Sequence, residues 1–244
     1  TMTSQPQPSS NDIAVKICGI ATPADFDACR NAGAAFIGMV FFPRSPRHLS
    51  IEASASLAAH AETSAEGPAR VALTVDMDDA GLDQIVAAAR PHFIQLHGSE
   101  TPDRASAIRD RFGLPLIRAI RVAAAADLEA CKDWEGIADW LLFDAKGDPG
   151  GLPGGTGHAF DWSLLADYAG TTQWMLAGGL SVDNVHRALT VTGARALDVS
   201  SGVESAPGKK DATRIQAFVQ QAQLGSVLTP LQQIWADGIK AVSP

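Results

Sequence analysis

No apolar run in the 244 residues approaches the roughly 20 needed to span a bilayer, so no membrane helix is expected. No signal-peptide pattern precedes the first apolar stretch, and a cytoplasmic location is expected. Cysteine is scarce: Cys18, Cys29 and Cys131 are odd in number and lack metal-site spacing. They point to a reducing compartment rather than to a disulfide framework, and no metal site is expected. Basic residues are in deficit, with a formal net charge of -8 and a sequence pI of about 5.1. That excludes a global field for nucleic acid or an anionic membrane surface, so a small anionic ligand would need local donors. No internal repeat or domain linker is evident. The stretch Cys18-Gly19-Ile20-Ala21-Thr22 after the first strand is not the glycine fingerprint of an open dinucleotide-binding sheet.

What the chain does have is an unbroken alternation of strand-like and helix-like segments. Strands are expected at Val15–Ile20, Ala35–Phe41, Arg70–Val75, Phe93–His97, Pro115–Ile120, Trp140–Asp144, Gln173–Ala177 and Ala196–Ser200. Helical patterns lie between them at Pro23–Asn31, Ile51–Ala59, Gly81–Ala89, Pro102–Arg111, Ala123–Lys132 and Val182–Leu189, with a last one at Asp211–Ala222. Eight such units within about 250 residues predict an α/β fold, a single-domain (β/α)8 TIM barrel. The strands are mostly apolar on both faces, as expected when the barrel interior and the helix layer both cover them. Residues 1–12 are polar and rich in Pro and Ser, and a disordered tail is expected there. The barrel is expected over 13–223. Residues 224–244 form a C-terminal extension in which Leu228, Leu231, Ile234 and Trp235 are spaced like an amphipathic helix.

Active sites of such barrels gather at the carboxyl ends of the strands. Cys18 falls at the first of these, as a small core hydrophobe, a nucleophile or a base. Asp144 ends the apolar run Leu141-Leu142-Phe143, where it caps a loop or serves as an acid or base. His97 is the one histidine at a strand end; a nucleophilic Cys18 would call for a histidine, and otherwise His97 is a hydrogen-bonded structural group. Arg44 and Arg47 share a proline-stiffened loop, where an arginine presents its fork to a carboxylate or is simply solvated. Asp198 is a charge within the last strand, hence a ligand contact or half of a buried network. Glycine clusters at Gly154-Gly155-Thr156-Gly157, Gly178-Gly179 and Ser201-Gly202 lie on adjoining loops at one barrel end. They are turn formers singly and a phosphate cradle together.

Taken in order, the chain resembles the phosphoribosylanthranilate isomerase family of tryptophan biosynthesis from about Val15 to Gln223. The resemblance rests on several blocks. The first are Lys16-Ile17-Cys18-Gly19-Ile20, Gly38 through Phe42-Pro43 with Ser45 and Arg47, and Gln95-Leu96-His97-Gly98. Leu142-Phe143-Asp144, Gly154-Gly155-Thr156-Gly157 and Phe160-Asp161-Trp162 follow. The last are Ala177-Gly178-Gly179-Leu180, Asp198 through Glu204, and Pro207 through Asp211. The resemblance implies an Amadori rearrangement of N-(5-phosphoribosyl)anthranilate without cofactor or metal. It implies Asp144 as general acid and Cys18 as general base. Arg47, Asp198 and His97 would bind the substrate, and backbone N–H groups of Gly155, Gly178, Gly179, Ser201 and Gly202 would hold its phosphate. A monomer or homodimer is expected. Two alternatives are a related histidine-pathway sugar-phosphate isomerase, which uses an aspartate where this chain has Cys18, and a non-catalytic metabolite-binding barrel.

Overall fold

The structure, a computed structural model, describes residues 13–64, 66–145, 160–166 and 168–225. The expected tail over 1–12 and residues 226–244, including Leu228, Leu231, Ile234 and Trp235, lie outside the described residues.

Eight strands close into a parallel barrel in sequence order. They are β1 (Ala14–Cys18), β2 (Phe36–Phe41), β3 (Ala69–Thr74), β4 (Phe93–Leu96), β5 (Leu116–Val122), β6 (Trp140–Ala145), β7 (Gln173–Leu176) and β8 (Ala196–Val199). The closure is made by β1 against β8, with Lys16 opposite Asp198. Four helices fill the first crossovers: α1 (Pro23–Ala32), α2 (Ile51–Ala61), α3 (Asp79–Ala89) and α4 (Pro102–Phe112). Each begins at a side-chain cap, Thr22, Ser50, Asp78 and Thr101 in turn, whose oxygen accepts an early backbone N–H of the helix. Helix α5 (Val185–Thr192) follows β7, and α6 (212–225) closes the barrel. On α6, Ile215, Phe218, Val219 and Ala222 form the buried stripe. The Gln223 amide exchanges hydrogen bonds with the backbone of Ile13 (3.1 and 2.8 Å), pinning the helix to the entrance of β1. The last helix, expected over Asp211–Ala222, is found over 212–225.

One crossover differs in kind from expectation. The segment after β5 is a 3-10 helix over Ala125–Trp134 rather than an α-helix over Ala123–Lys132. Its core-facing residues Leu128, Cys131 and Trp134 recur every third position, the period of a 3-10 helix. Asp127 fastens its start by accepting the N–H groups of Ala123 and Ala124 (2.8 and 3.0 Å).

Alternation along the strands sorts the side chains into two populations. Val15, Ile17, Ile37, Met39, Ile94, Leu96, Leu141 and Phe143 point outward into the core beneath the helices. The inward set starts at the amino-terminal mouth with Phe36, Phe93, Trp140 and Ala196, one each from the even-numbered strands. The rings of Phe93 and Trp140 meet Phe36 edge-on at 5.6 and 6.0 Å, plugging that end. Moving up the barrel, the same alternation turns Lys16 and Cys18 inward on β1, Gln95 and His97 on and just beyond β4, Asp144 on β6 and Asp198 on β8. The apolar plug lies at the bottom, and the polar inward residues lie above it.

Candidate active site

The site is assembled at the carboxyl ends of the strands, and β1 supplies its first member. Cys18 is the last residue of that strand because the backbone turns at once: the N–H groups of Gly19 and Ile20 both donate to the Gly38 carbonyl, at 2.8 and 2.9 Å. Gly19 has φ +87, a left-handed conformation suited to glycine, and a Cβ there would lie 2.7 Å from Cδ of Arg47. The bare glycine therefore lets the Arg47 side chain cross over the end of β1. On β2, Gly38 pairs with Cys18. A Cβ on Gly38 would stand 2.8 Å from Cys18 Sγ and 3.1 Å from Lys16 Nζ, so the thiol and the ammonium occupy the space a side chain would fill.

Lys16 is fully buried, and its Nζ donates to Asp198 Oδ1 at 2.8 Å. Burial would lower the ammonium's pKa, yet the facing Asp198 carboxylate and the Cys18 sulfur keep it raised. Burial pushes the Cys18 thiol up. The positive charges of Lys16, Lys210 and Arg47 pull against that rise without cancelling it, and Asp198 adds to it.

A second charge group caps the first. Arg47 donates from Nε and Nη2 to the two oxygens of Glu204, at 2.7 and 2.8 Å. Lys210 Nζ donates to Glu204 Oε1 at 2.7 Å and to the Ser200 carbonyl at 3.1 Å. Burial opposes ionisation of Glu204, but the hydrogen bonds from Arg47 and Lys210 outweigh it and hold the carboxyl below its ordinary range. Burial dominates for Lys210 and lowers its pKa despite Glu204. The loop carrying Arg47 is shaped by turn bonds from Ser45 N–H to the Phe42 carbonyl (2.9 Å) and from His48 N–H to the Ser45 carbonyl (3.1 Å). Arg44 on the same loop stays exposed, its guanidinium 6.0 Å from the Phe42 ring. Three cations, Lys16, Arg47 and Lys210, therefore face two carboxylates, Asp198 and Glu204. The balance has room for one more negative charge.

Asp144, on β6, is buried under different partners. Its Oδ1 accepts the Ala145 N–H at 2.8 Å, and its Oδ2 lies 3.4 Å from His97 Nε2. Gln95 Nε2 lies 2.9 Å from His97 Nδ1 and holds the ring from behind. With Gln95 on Nδ1, the other ring nitrogen, Nε2, is the one that faces the Asp144 carboxyl. Gly178, φ +83, leaves room for this carboxyl: a Cβ there would come within 3.2 Å of Asp144 Oδ1. The loops after β7 and β8 abut, since a Cβ on Gly202 would collide with the Leu180 carbonyl. Gly178, Gly179, Ser201 and Gly202 thus lie on neighbouring loops, and Asn184 Nδ2 steadies the first by donating to the Gly179 carbonyl at 2.8 Å. Gly155, with the rest of Gly154–Gly157, lies outside the described residues.

The arrangement matches a known family. The family model described as N-(5'-phosphoribosyl)anthranilate (PRA) isomerase covers residues 15–221. The chain belongs to the PRA isomerase family. It is 50% identical over 214 residues to the N-(5'-phosphoribosyl)anthranilate isomerase of Parvibaculum lavamentivorans, covering 86% of this chain and 98% of the relative. Among solved structures, the PRA isomerase of Thermotoga maritima superposes with a TM-score of 0.76 at 32% identity, covering 86% of this chain and 98% of that one. A PRA isomerase in complex with reduced 1-(o-carboxyphenylamino)-1-deoxyribulose 5-phosphate matches with a TM-score of 0.74 at 30% identity, with the same two coverages. By family, then, the chain is an isomerase.

Of the residues singled out from sequence, Cys18, Arg47 and Asp198 gather on the β1–β8 side of the barrel, and His97 joins Asp144 on the β4–β6 side. Three members carried no assigned role: Lys16, Glu204 and Lys210. Lys16 had a readable signal, a charge inside the apolar strand Ala14-Val15-Lys16-Ile17-Cys18, the same signal that singled out Asp198. Among the described residues no cluster of His, Cys, Asp and Glu is arranged to hold a metal ion, and no helix is long and apolar enough to cross a membrane.

Proposed function

We propose that this chain catalyses the Amadori rearrangement of N-(5'-phosphoribosyl)anthranilate to 1-(2-carboxyphenylamino)-1-deoxyribulose 5-phosphate, a step of tryptophan biosynthesis, with Asp144 as general acid and Cys18 as general base. Asp144, in its protonated form, gives its proton to the ribose ring oxygen. The C1'–O bond breaks, and the anthranilate nitrogen lone pair forms the C=N bond of an iminium ion. The cationic iminium acidifies the neighbouring C2'–H, and the Cys18 thiolate removes that proton. The C–H electrons form the enolamine and the nitrogen recovers its lone pair. The 2'-hydroxyl proton is then lost and C1' is protonated, giving the ketone.

The observation that carries this reading is that two buried proton carriers of opposite task stand on the inner wall of one barrel mouth in unlike surroundings. Cys18 is buried among cations, which pull against the rise that burial imposes on its thiol, and Asp144 lies against an imidazole and a backbone N–H. Arg47 takes the anthranilate carboxylate. With its Nε/Nη2 edge given to Glu204, it meets the substrate with its Nη1/Nη2 edge, three of its five N–H donors being free of that pair. Asp198 contacts the anthranilate amine. His97 acts on the substrate side of Asp144, and the loops of Gly155, Gly178, Gly179, Ser201 and Gly202 take the phosphate through backbone N–H groups.

The test is turnover of freshly generated phosphoribosylanthranilate, followed as loss of its anthranilate fluorescence. Conversion to the ribulose product is expected. A folded chain that binds the reduced product analogue without turning substrate over would refute the catalytic reading and favour a binding barrel.

A further inference from the structure

The ammonium of Lys16 is fully buried and has no place in the proton transfers above. Removing an ammonium and a carboxylate from water costs several kcal/mol per ion, and apolar residues of the same volume usually serve stability as well or better. Stability alone is thus a poor reason for Lys16 and Asp198 to occupy inward positions on β1 and β8. Asp198 Oδ1 accepts one of the three N–H donors. The ammonium also reaches the gap left by Gly38, where Cys18 Sγ is the other occupant. A single Cβ position on Gly38 lies 2.8 Å from Sγ and 3.1 Å from Nζ, which brings ammonium and sulfur within about 6 Å of each other, the range in which an opposite charge moves an ionisation. Lys16 and Cys18 are two residues apart on one strand, so both project into the barrel and the longer side chain passes beneath the shorter.

We propose that Lys16 is a positioning residue for the base: its buried ammonium stabilises the Cys18 thiolate, with Asp198 as its counter-ion and the bare Gly38 as the space that lets the two meet. The proposal rests on the reading of Cys18 as the base. Other groups face the sulfur as well. Asp198 from β8 opposes its ionisation, and Lys210, from the short strand after β8, and Arg47, from the loop after β2, favour it. Glu204 stands behind those last two and takes up much of their charge. Lys16 is the largest of the favourable influences.

Replacing Lys16 by methionine keeps the volume and removes the charge. Titration of the Cys18 thiol, read from the NMR shift of its labelled Cβ and assigned against Cys18→Ser, should move upward by about one to two pH units in Lys16→Met. The rising limb of kcat/KM against pH should move by the same amount. That is a loss of roughly 10- to 100-fold at neutral pH, recovered in alkali, which a merely structural role would not produce. A thiol that titrates in Lys16→Met where it does in the wild type overturns the proposal. A thiol that moves while the rate profile stays fixed leaves Lys16 in its role and removes Cys18 as the base. Should the single variant fail to fold, Lys16→Met combined with Asp198→Asn removes both buried charges together. Because Lys16 Nζ shares the gap beside Gly38 with the sulfur, the thiol should still titrate above the wild type, and a value at or below the wild type overturns the proposal.

Discussion

Glu204→Gln is the substitution whose cost follows most directly from the geometry. The carboxylate is buried, with 4% of its side chain exposed, and its two partners are 10% (Arg47) and 0% (Lys210) exposed. Solvent screening, which reduces most surface ion pairs to under about 1 kcal/mol, therefore does not apply. The amide keeps the shape and one acceptor oxygen but removes the negative charge, leaving two buried cations side by side. Removing one partner of a buried pair costs about 3–5 kcal/mol. Since an amide oxygen in the place of Oε1 still accepts from Arg47 Nε and Lys210 Nζ, the lower end, about 3 kcal/mol, is the expectation. For a chain of this size that is a fall in Tm of about 6–12 °C. Urea unfolding followed by circular dichroism measures the first figure and calorimetry the second. The pH dependence checks the cause. Glu204 is held below its unfolded value of about 4.5, so its stabilisation is fully present above that pH and is lost as the pH falls through the folded value. The gap between wild type and variant should close in acid. A loss under about 1 kcal/mol at neutral pH, or a gap that persists in acid, would refute the claim that Glu204 holds Arg47 and Lys210 as an ionised group.

Two further outcomes are expected. Gly38→Ala places a Cβ 2.8 Å from Cys18 Sγ. It should push the sulfur out of line and lower kcat about 100-fold while the barrel stays folded; a normal kcat in steady-state assay would show that the gap beside Cys18 is not needed. At the other end of the pH scale, burial pushes the Cys29 thiol up to about 12. Its stabilisation is complete below the unfolded thiol value near 9 and is lost as pH rises toward 12, at most about 1.4 kcal/mol per pH unit. Cys29→Ala should flatten that alkaline decline in urea titrations, and an unchanged slope would contradict it.

The barrel was legible in the sequence because each strand is a short apolar run bounded by turn residues, and each of the first four helices carries its own cap. The ends of strands were less legible. Ile20, Val75, His97, Ala177 and Ser200 continue the strand pattern but lie beyond the ladder, because the chain turns there to form the site. Ile20 shows how, sharing the Gly38 carbonyl with Gly19 instead of advancing the register. The segment over Ala125–Trp134 was open to two readings, since alanine-rich composition favours an α-helix while the three-residue spacing of its buried residues selects a 3-10 helix. In the site, Cys18, Asp144 and Asp198 announce themselves as polar groups in or at the end of apolar strands. The partnership of Arg47 with Glu204 spans 157 residues and that of Lys16 with Asp198 spans 182. Such pairings depend on barrel closure, and no local pattern encodes them.

The central claim is the division of labour between Cys18 and Asp144. Its most direct test is single-turnover conversion of phosphoribosylanthranilate by Cys18→Ala and Asp144→Asn, alongside the affinity of each for the reduced product analogue. The account predicts that each variant loses about a thousandfold or more in rate with affinity changed only a few-fold, because each lacks one proton transfer made in the transition state. A rate within tenfold of the wild type in either variant would contradict it.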